Sequence, residues 1–421
     1  MRIGARTGAF YGWRIVAAAF VLAVFGWGLG FYGPPVYLHA VREARGWSVA
    51  LVSLAVTTHF LLGALVVANL PALYRRFGVA TITKAAALAA ALGVLGWASA
   101  AQPWQLFAAT VLSGAGWAAT GGAAVNTIVS PWFIRARPAA LSMAYNGATI
   151  GGVVLTPLWV LAISHWGFAG AAAAIGAVMV LSLWILADIY FVHTPQAMGL
   201  TADGGARSAG AVSITSHHAR PLPGTLLWRD RAFLTLAAGM ALGLFSQIGM
   251  LAHLFSLLVP ALGAERAGLA MGAATAAAIL GRTLAGWMMP PGADRRLIAC
   301  LNYGVQIAGA LALIAAGGVS VPLMLAGVLL FGVGIGNATS LPPLIAQSEF
   351  VPEDVARVVA LIIAIAQGTM AFAPALFGFI REFAPRGVDP AAGAAPYFFA
   401  VAALVQTFAI AAFLIGRRRQ P

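Results

Sequence analysis

The sequence predicts an all-α membrane protein with twelve transmembrane helices in two six-helix halves. Three observations predict it. The 421 residues are 61% hydrophobic and 8% charged, with mean hydropathy +0.92, whereas a soluble chain carries about 25% charged residues. Apolar stretches of about 20 residues, enough for one helix to cross a bilayer, recur twelve times. A single long polar segment, 193–230, then divides the chain near its middle.

The spans run over 11–39, 48–74, 80–101, 103–130, 137–163, 167–192, 231–260, 265–289, 296–317, 321–347, 355–380 and 395–416. The first is too long for a signal peptide and no small-residue cleavage site follows it, so it is expected to be retained. Within it, Gly33-Pro34-Pro35 frees backbone groups, which is tolerated at membrane depth where the chain lines a cavity. Gly147, Gly151, Gly152 and Pro157 in span 5 favour close helix packing over ligand contact. Segment 193–230 is rich in Gly, Ser, Ala and Pro and has no sustained apolar period, so it reads as a linker. The expected domains are therefore 1–192, the linker 193–230, and 231–421. His217-His218 in the linker is a weak metal signal. The single Cys300 rules out a disulfide framework, and no cofactor is expected.

The net charge of +13 is distributed by side. With the N-terminus cytoplasmic, 18 of the 24 Lys and Arg residues fall on the cytoplasmic side, among them Arg75, Arg76, Lys84, Arg295 and Arg296. Arg42, Arg45, Arg266, Arg381 and Arg386 fall outside. This bias places both termini in the cytoplasm. It accounts for the basic pI through topology and contact with anionic lipids rather than a nucleic-acid surface.

Arg282 is the one cation left over, inside the apolar run 267–289. Such a charge costs about 2.5–3.5 kcal/mol on insertion scales and by default marks function. Its planar fork suits a carboxylate. No Asp or Glu is visible at that depth, so an anionic substrate is the expected partner; capping of backbone carbonyls, or snorkelling to an interface, is the bland alternative. His253 in span 7 is open between substrate contact or titration and a hydrogen bond to a neighbouring helix. Tyr32 is balanced between lining the pore and packing. Tyr145, Asn146 and Asn337 are open between cavity lining and helix bridging, and Gln367 is the nearest mid-span polar residue of span 11. His59 and Asn126 favour helix bridging. Asp188 is expected to pair with a loop Arg.

The halves repeat at an offset of 220 residues. Arg75-Arg76 aligns with Arg295-Arg296, Gly114-Ala115-Gly116 with Gly334-Ile335-Gly336, and Arg137, Ala140 and Leu141 with Arg357, Ala360 and Leu361. Arg282 falls opposite Leu62, so the site is asymmetric. The loop Pro71-Ala-Leu-Tyr-Arg75-Arg76-Phe77-Gly78 resembles a degraded major facilitator loop, with Arg75 where that motif has Asp. Tyr11-Gly12-Trp13, Gly46-Trp47-Ser48, Pro131-Trp132-Phe133 and Gly281-Arg282 with Gly286-Trp287 are similar to the bacterial monocarboxylate and oxalate/formate branch of that superfamily. The resemblance implies the major facilitator fold, with the substrate between the halves near the midplane. It also implies a bacterial cytoplasmic membrane, a monomer, and a span-8 Arg, here Arg282, on the substrate carboxylate. Ala278 stands where proton-coupled relatives carry an Asp, and span 11 lacks a second deep cation.

The expected function is secondary or facilitated transport of a small organic anion, a monocarboxylate, by alternating access. Proton coupling is left open; exchange or facilitated diffusion is favoured. An enzyme is disfavoured, since neither H-E-x-x-H nor G-x-S-x-G occurs and no carboxylates pair within spans. An exporter of hydrophobic drugs is the main rival. A copper importer using Met250 and His253 would have too few ligands. A ligand sensor on the same scaffold is a further alternative.

Overall fold

The computed structural model describes residues 10–204, 224–288, 293–384 and 395–417, and every regular element among them is helical. The order is α1 (Gly12–Gly30), α2 (Gly33–Arg45), α3 (Val49–Phe77), α4 (Val79–Ser99), α5 (Pro103–Thr120), α6 (Gly122–Val129) and α7 (Arg137–Leu186). There follow the short α8 (Gly224–Leu227), then α9 (Arg231–Leu262), α10 (Ala264–Trp287), α11 (Arg295–Ala316), α12 (Val321–Ile335), α13 (Asn337–Glu349), α14 (Pro352–Met370), α15 (Ala373–Phe383) and α16 (Ala395–Gly416). Half of the segment 193–230, residues 205–223 with His217-His218, lies outside the described residues.

Among the described residues, ten helices are long and apolar enough to cross a membrane. One of them, Arg137–Phe191, has 55 residues, far more than the roughly 20 that cross a bilayer. It turns at Gly167, whose φ of 68° lies in the left-handed region, and so supplies spans 5 and 6. Span 4 is divided between α5 and α6 at Gly121. The protein is therefore a twelve-helix membrane protein. Spans 1, 10 and 11 are also interrupted, between α1 and α2, α12 and α13, and α14 and α15. With twelve spans both chain ends lie on one membrane face, called here the terminal face; the other is the far face.

Helix starts are fixed by short polar side chains that accept the free amides of the first turn. Ser48 Oγ accepts from the Leu51 N–H at 3.1 Å. Asp230 and Asp294 do the same for Phe233 and Leu297, at 2.8 and 3.1 Å. Neighbouring spans approach through small residues, as van der Waals packing in lipid requires. Gly309 and Gly327 lie back to back, so that a Cβ on either would come within 2.8 Å of the other's carbonyl oxygen. Gly147 and Gly151 face the Phe20 and Val24 carbonyls in the same manner, which seats α7 against α1.

Ionic contacts gather at span ends. Asp188 pairs with Lys84, not with a loop Arg, because the end of α7 lies beside α4. Arg282 is also not the only cation inside the bundle. Arg296, 2% exposed, meets Glu349 through Nε and Nη2 at 2.6 and 2.8 Å. It also donates to the Ala232 carbonyl at 2.9 Å and to Thr235 Oγ1 at 3.0 Å. That clamp joins α9, α11 and α13 at the terminal face.

On the terminal face, Asp203 accepts from the Ile134 and Arg135 amides at 3.1 and 2.8 Å. Slight burial disfavours the Asp203 carboxylate, but these donors outweigh it and hold its pKa below the usual range.

Candidate functional site

Arg282 sits five residues before the last residue of α10. A helical side chain leans toward the N-terminus of its helix, so its guanidinium rises from near the terminal face toward the middle of the membrane. There Nη2 donates to Thr149 Oγ1 at 2.5 Å. Thr149 is on α7, so the contact bridges the N-terminal and C-terminal helices. No Asp or Glu salt-bridges Arg282 among the described residues, and the side chain remains partly exposed.

The backbone around Arg282 is shaped to hold it. A Cβ on Gly336 would lie 2.6 Å from Arg282 Nε and 2.9 Å from its Cγ. The break between α12 and α13 thus leaves the groove in which the side chain lies. Asn337, 3% exposed, donates to the Gly281 carbonyl at 3.1 Å and to Asn302 Oδ1 at 3.0 Å. Asn302 in turn donates to the Gly334 carbonyl at 3.3 Å. Asn337 is accordingly a bridge that positions the turn before Arg282.

Tyr32 ends the break in span 1 and lies within electrostatic reach of Arg282. A Cβ on Gly152 would meet both a Tyr32 ring carbon and Thr275 Cγ2, at 2.7 and 2.6 Å. Spans 1, 5 and 8 therefore converge beside the guanidinium. Tyr145 lies four residues before Thr149, on the same helix face, and donates to the Gly122 carbonyl at 2.9 Å where span 4 breaks. Asn146 is exposed, one turn from Thr149 toward the terminal face, and Gln367 is partly exposed at the end of α14.

His253 stands apart from this group. It is fully buried near the far-face end of α9. Its Nε2 faces the Pro374 carbonyl at 3.0 Å, and its Nδ1 faces Arg381 Nη1 at 3.2 Å. Since a guanidinium only donates, Nδ1 accepts and Nε2 carries the hydrogen that bonds Pro374. Both ring nitrogens are engaged, and the ring links α9 to α15. His59 bridges in the same way: Nε2 meets the Gly30 carbonyl at 2.9 Å and Nδ1 meets Ser113 Oγ at 2.8 Å. Pro34 has no N–H to give Gly30, and His59 fills that place. Among the described residues no three His, Cys, Asp or Glu side chains group as for a metal.

Sequence reading missed Thr149, Thr275, Gly336 and Asn302. Threonine and asparagine in a span are ordinary helix-bridging residues, and only the spacing of Thr149 from Tyr145 hinted at a shared face.

Besides Arg282–Thr149, two backbone amides hydrogen-bond from one set of helices to side chains of the other. The Ala50 amide donates to Glu382 Oε2 at 3.1 Å, and the Ala375 amide donates to Thr57 Oγ1 at 3.0 Å. Both lie toward the far face. Nearby a Cβ on Gly378 would meet Ser53 Oγ at 2.4 Å, and one on Gly268 would meet Val160 Cγ2 at 2.9 Å. The contacts that close the bundle thus lie on the far-face side of Arg282.

Comparison with known proteins gives a consistent result. The family model described as Major Facilitator Superfamily matches residues 16–374. No curated protein matches the chain. Among solved structures, the nucleoside transporter NupG is 13% identical, with a TM-score of 0.70 over 96% of this chain and 100% of that one. A bacterial homolog of the human lysosomal transporter Spinster, inward-facing and unoccupied, is 15% identical, with a TM-score of 0.71 over 99% and 100%. A D-xylose–proton symporter is 14% identical, with a TM-score of 0.71 over 98% and 98%. At these identities the likeness is one of fold.

Proposed function

The chain belongs to the major facilitator superfamily, and from that premise we propose that it carries a small organic anion, a monocarboxylate, by alternating access. It is a transport protein, not an enzyme. The observation that carries the substrate class is Arg282: a guanidinium inside the bundle, held by one neutral hydroxyl and salt-bridged to no acid among the described residues. A cation inside a membrane-spanning bundle calls for a counter-charge, and an anion entering the bundle supplies one. A single guanidinium suits one carboxylate better than two.

In this proposal the halves 1–192 and 231–421 rock about the site. The positive-inside bias makes the terminal face cytoplasmic, in a bacterial inner membrane. The seal at Glu382 and Thr57 then corresponds to an inward-facing state. The carboxylate takes the open edge of the Arg282 fork while Thr149 keeps the Nη2 edge in place. One monoanion on one fixed cation is locally neutral without a proton, which favours exchange or facilitated diffusion. The engagement of both His253 nitrogens supports the same mode.

Counterflow in proteoliposomes tests the proposal. Exchange of a labelled monocarboxylate is expected without a pH gradient. It should fall about tenfold or more in Arg282→Lys, which keeps the charge and loses the fork, and vanish in Arg282→Ala. Unchanged exchange in Arg282→Ala, at equal incorporation, would overturn it.

A further inference from the structure

We propose that the transported carboxylate bears an aromatic ring, which the N-terminal helices hold through Trp27, Phe31 and Trp117 while Arg282 holds the charge. This rests on the carboxylate reading and adds the substrate's second half.

The geometry forms a continuous series of rings beside Thr149. Arg282 bonds Thr149, and Tyr145 lies one turn away on the same face of α7. The Tyr145 ring meets Trp27 edge-on, with centroids 6.1 Å apart. Trp27 meets Trp117 edge-on at 5.1 Å, and Trp117 tilts against Phe31 at 5.9 Å. Phe31 meets Tyr32 edge-on at 5.0 Å, and Tyr32 lies with Thr275 against Gly152, three residues after Thr149. Five aromatic side chains from spans 1, 4 and 5 thus form one chain of rings whose ends, Tyr145 and Tyr32, lie within about one helical turn of Thr149, the residue that holds Arg282.

Burial separates these rings from structural ones. Trp97, Trp132 and Trp159 are at most 2% exposed. Trp27, Phe31, Trp117 and Tyr145 stay partly exposed although they lie well inside their spans. They do not face lipid through α1, because that helix is wedged between α5 and α7. A Cβ on Gly26 would come within 2.4 Å of the Thr120 carbonyl, and one on Gly28 within 2.1 Å of Leu155 Cδ1. Trp27 and Phe31 are four residues apart and share the remaining face. A planar ring packs on such a wall edge-to-face or offset. No carboxylate lies among these residues to repel an anion.

Binding to the purified full-length protein, read by thermal shift and tryptophan fluorescence, tests the inference. The probes are phenylacetate, its saturated counterpart cyclohexylacetate, acetate and the neutral benzyl alcohol. Phenylacetate is expected to bind about tenfold tighter than cyclohexylacetate, the order of one well-placed aromatic pair. Trp117→Leu should erase that ratio; Arg282→Ala should abolish binding of all three acids. Should Trp117→Leu fail to fold, Trp117→Phe and Trp27→Phe keep a ring and should lower the ratio without removing it. If acetate binds in an Arg282-dependent way and phenylacetate gains nothing over cyclohexylacetate, the aromatic inference falls while the carboxylate reading stands. If benzyl alcohol binds as tightly as phenylacetate, and both ignore Arg282→Ala, both fall.

Discussion

Thr149 fixes how the guanidinium presents itself. With Nη2 tied to its hydroxyl, the opposite edge of the fork remains for a carboxylate. Thr149→Val removes the hydroxyl at nearly constant volume. We expect apparent affinity for the transported acid to fall about tenfold, the order of one hydrogen bond to a charged group, and Thr149→Ser to restore it. Equal counterflow constants in wild type and Thr149→Val would show that Arg282 needs no orienting partner. At this scale sequence reading was uneven. Arg282 stood out because a cation in an apolar run is costly. Arg296 did not, because it lies at a span end and only the fold shows that it is buried. His253 and His59 were ambiguous in sequence because a histidine's role depends on what each ring nitrogen meets.

The breaks in the spans do what continuous helices would not. Gly336 stands between α12 and α13 and leaves a groove for Arg282. Its φ of −69° is ordinary, so Gly336→Ala meets no backbone strain, and alanine is favoured over glycine in helices by about 0.5–1 kcal/mol. The added methyl would instead press on Arg282 Nε. It would also crowd the Ala278 carbonyl oxygen at 3.0 Å, which offsets the helical gain, so Gly336→Ala is expected to leave thermal stability nearly unchanged while transport drops about tenfold. A variant that lost stability and transport together would show that the glycine serves packing alone. The twelve apolar stretches were legible because bilayer thickness sets their length. The breaks at Gly121, Gly336 and Ala371 were not, because each depends on what packs alongside. Only Pro34-Pro35 announced its break. The 220-residue repeat has the same limit: it aligns motifs, but the break at Phe31–Tyr32 has no counterpart in the continuous α9.

For the whole molecule, the far-face seal sets which side the site opens to. Glu382→Gln keeps the shape but removes the charge that draws the Ala50 amide. We expect the population to shift toward far-face opening. In a Cys300→Ser background, Ser53→Cys should react with a membrane-impermeant thiol reagent several-fold faster when Glu382→Gln is added, as follows from weakening a charge-assisted bond worth roughly 1.5–3 kcal/mol. An unchanged rate would place the seal elsewhere. The side-to-side bias of Lys and Arg predicted orientation from sequence, but no composition foretold that Glu382 would reach span 2, 332 residues away along the chain.

Both bonds of that seal take their hydrogen from the main chain, at the first turns of α3 and α15, where helical amides lack an internal partner. Side-chain replacement at Ala50 or Ala375 leaves these donors in place; only proline would delete them, and the first turn is where a helix accepts proline. Hereditary change can therefore retune the lock almost solely through Glu382 and Thr57. Descendants of this chain would diverge in how firmly the far side shuts by altering two acceptors, while the matching half of each bond passes on unaltered with the backbone itself.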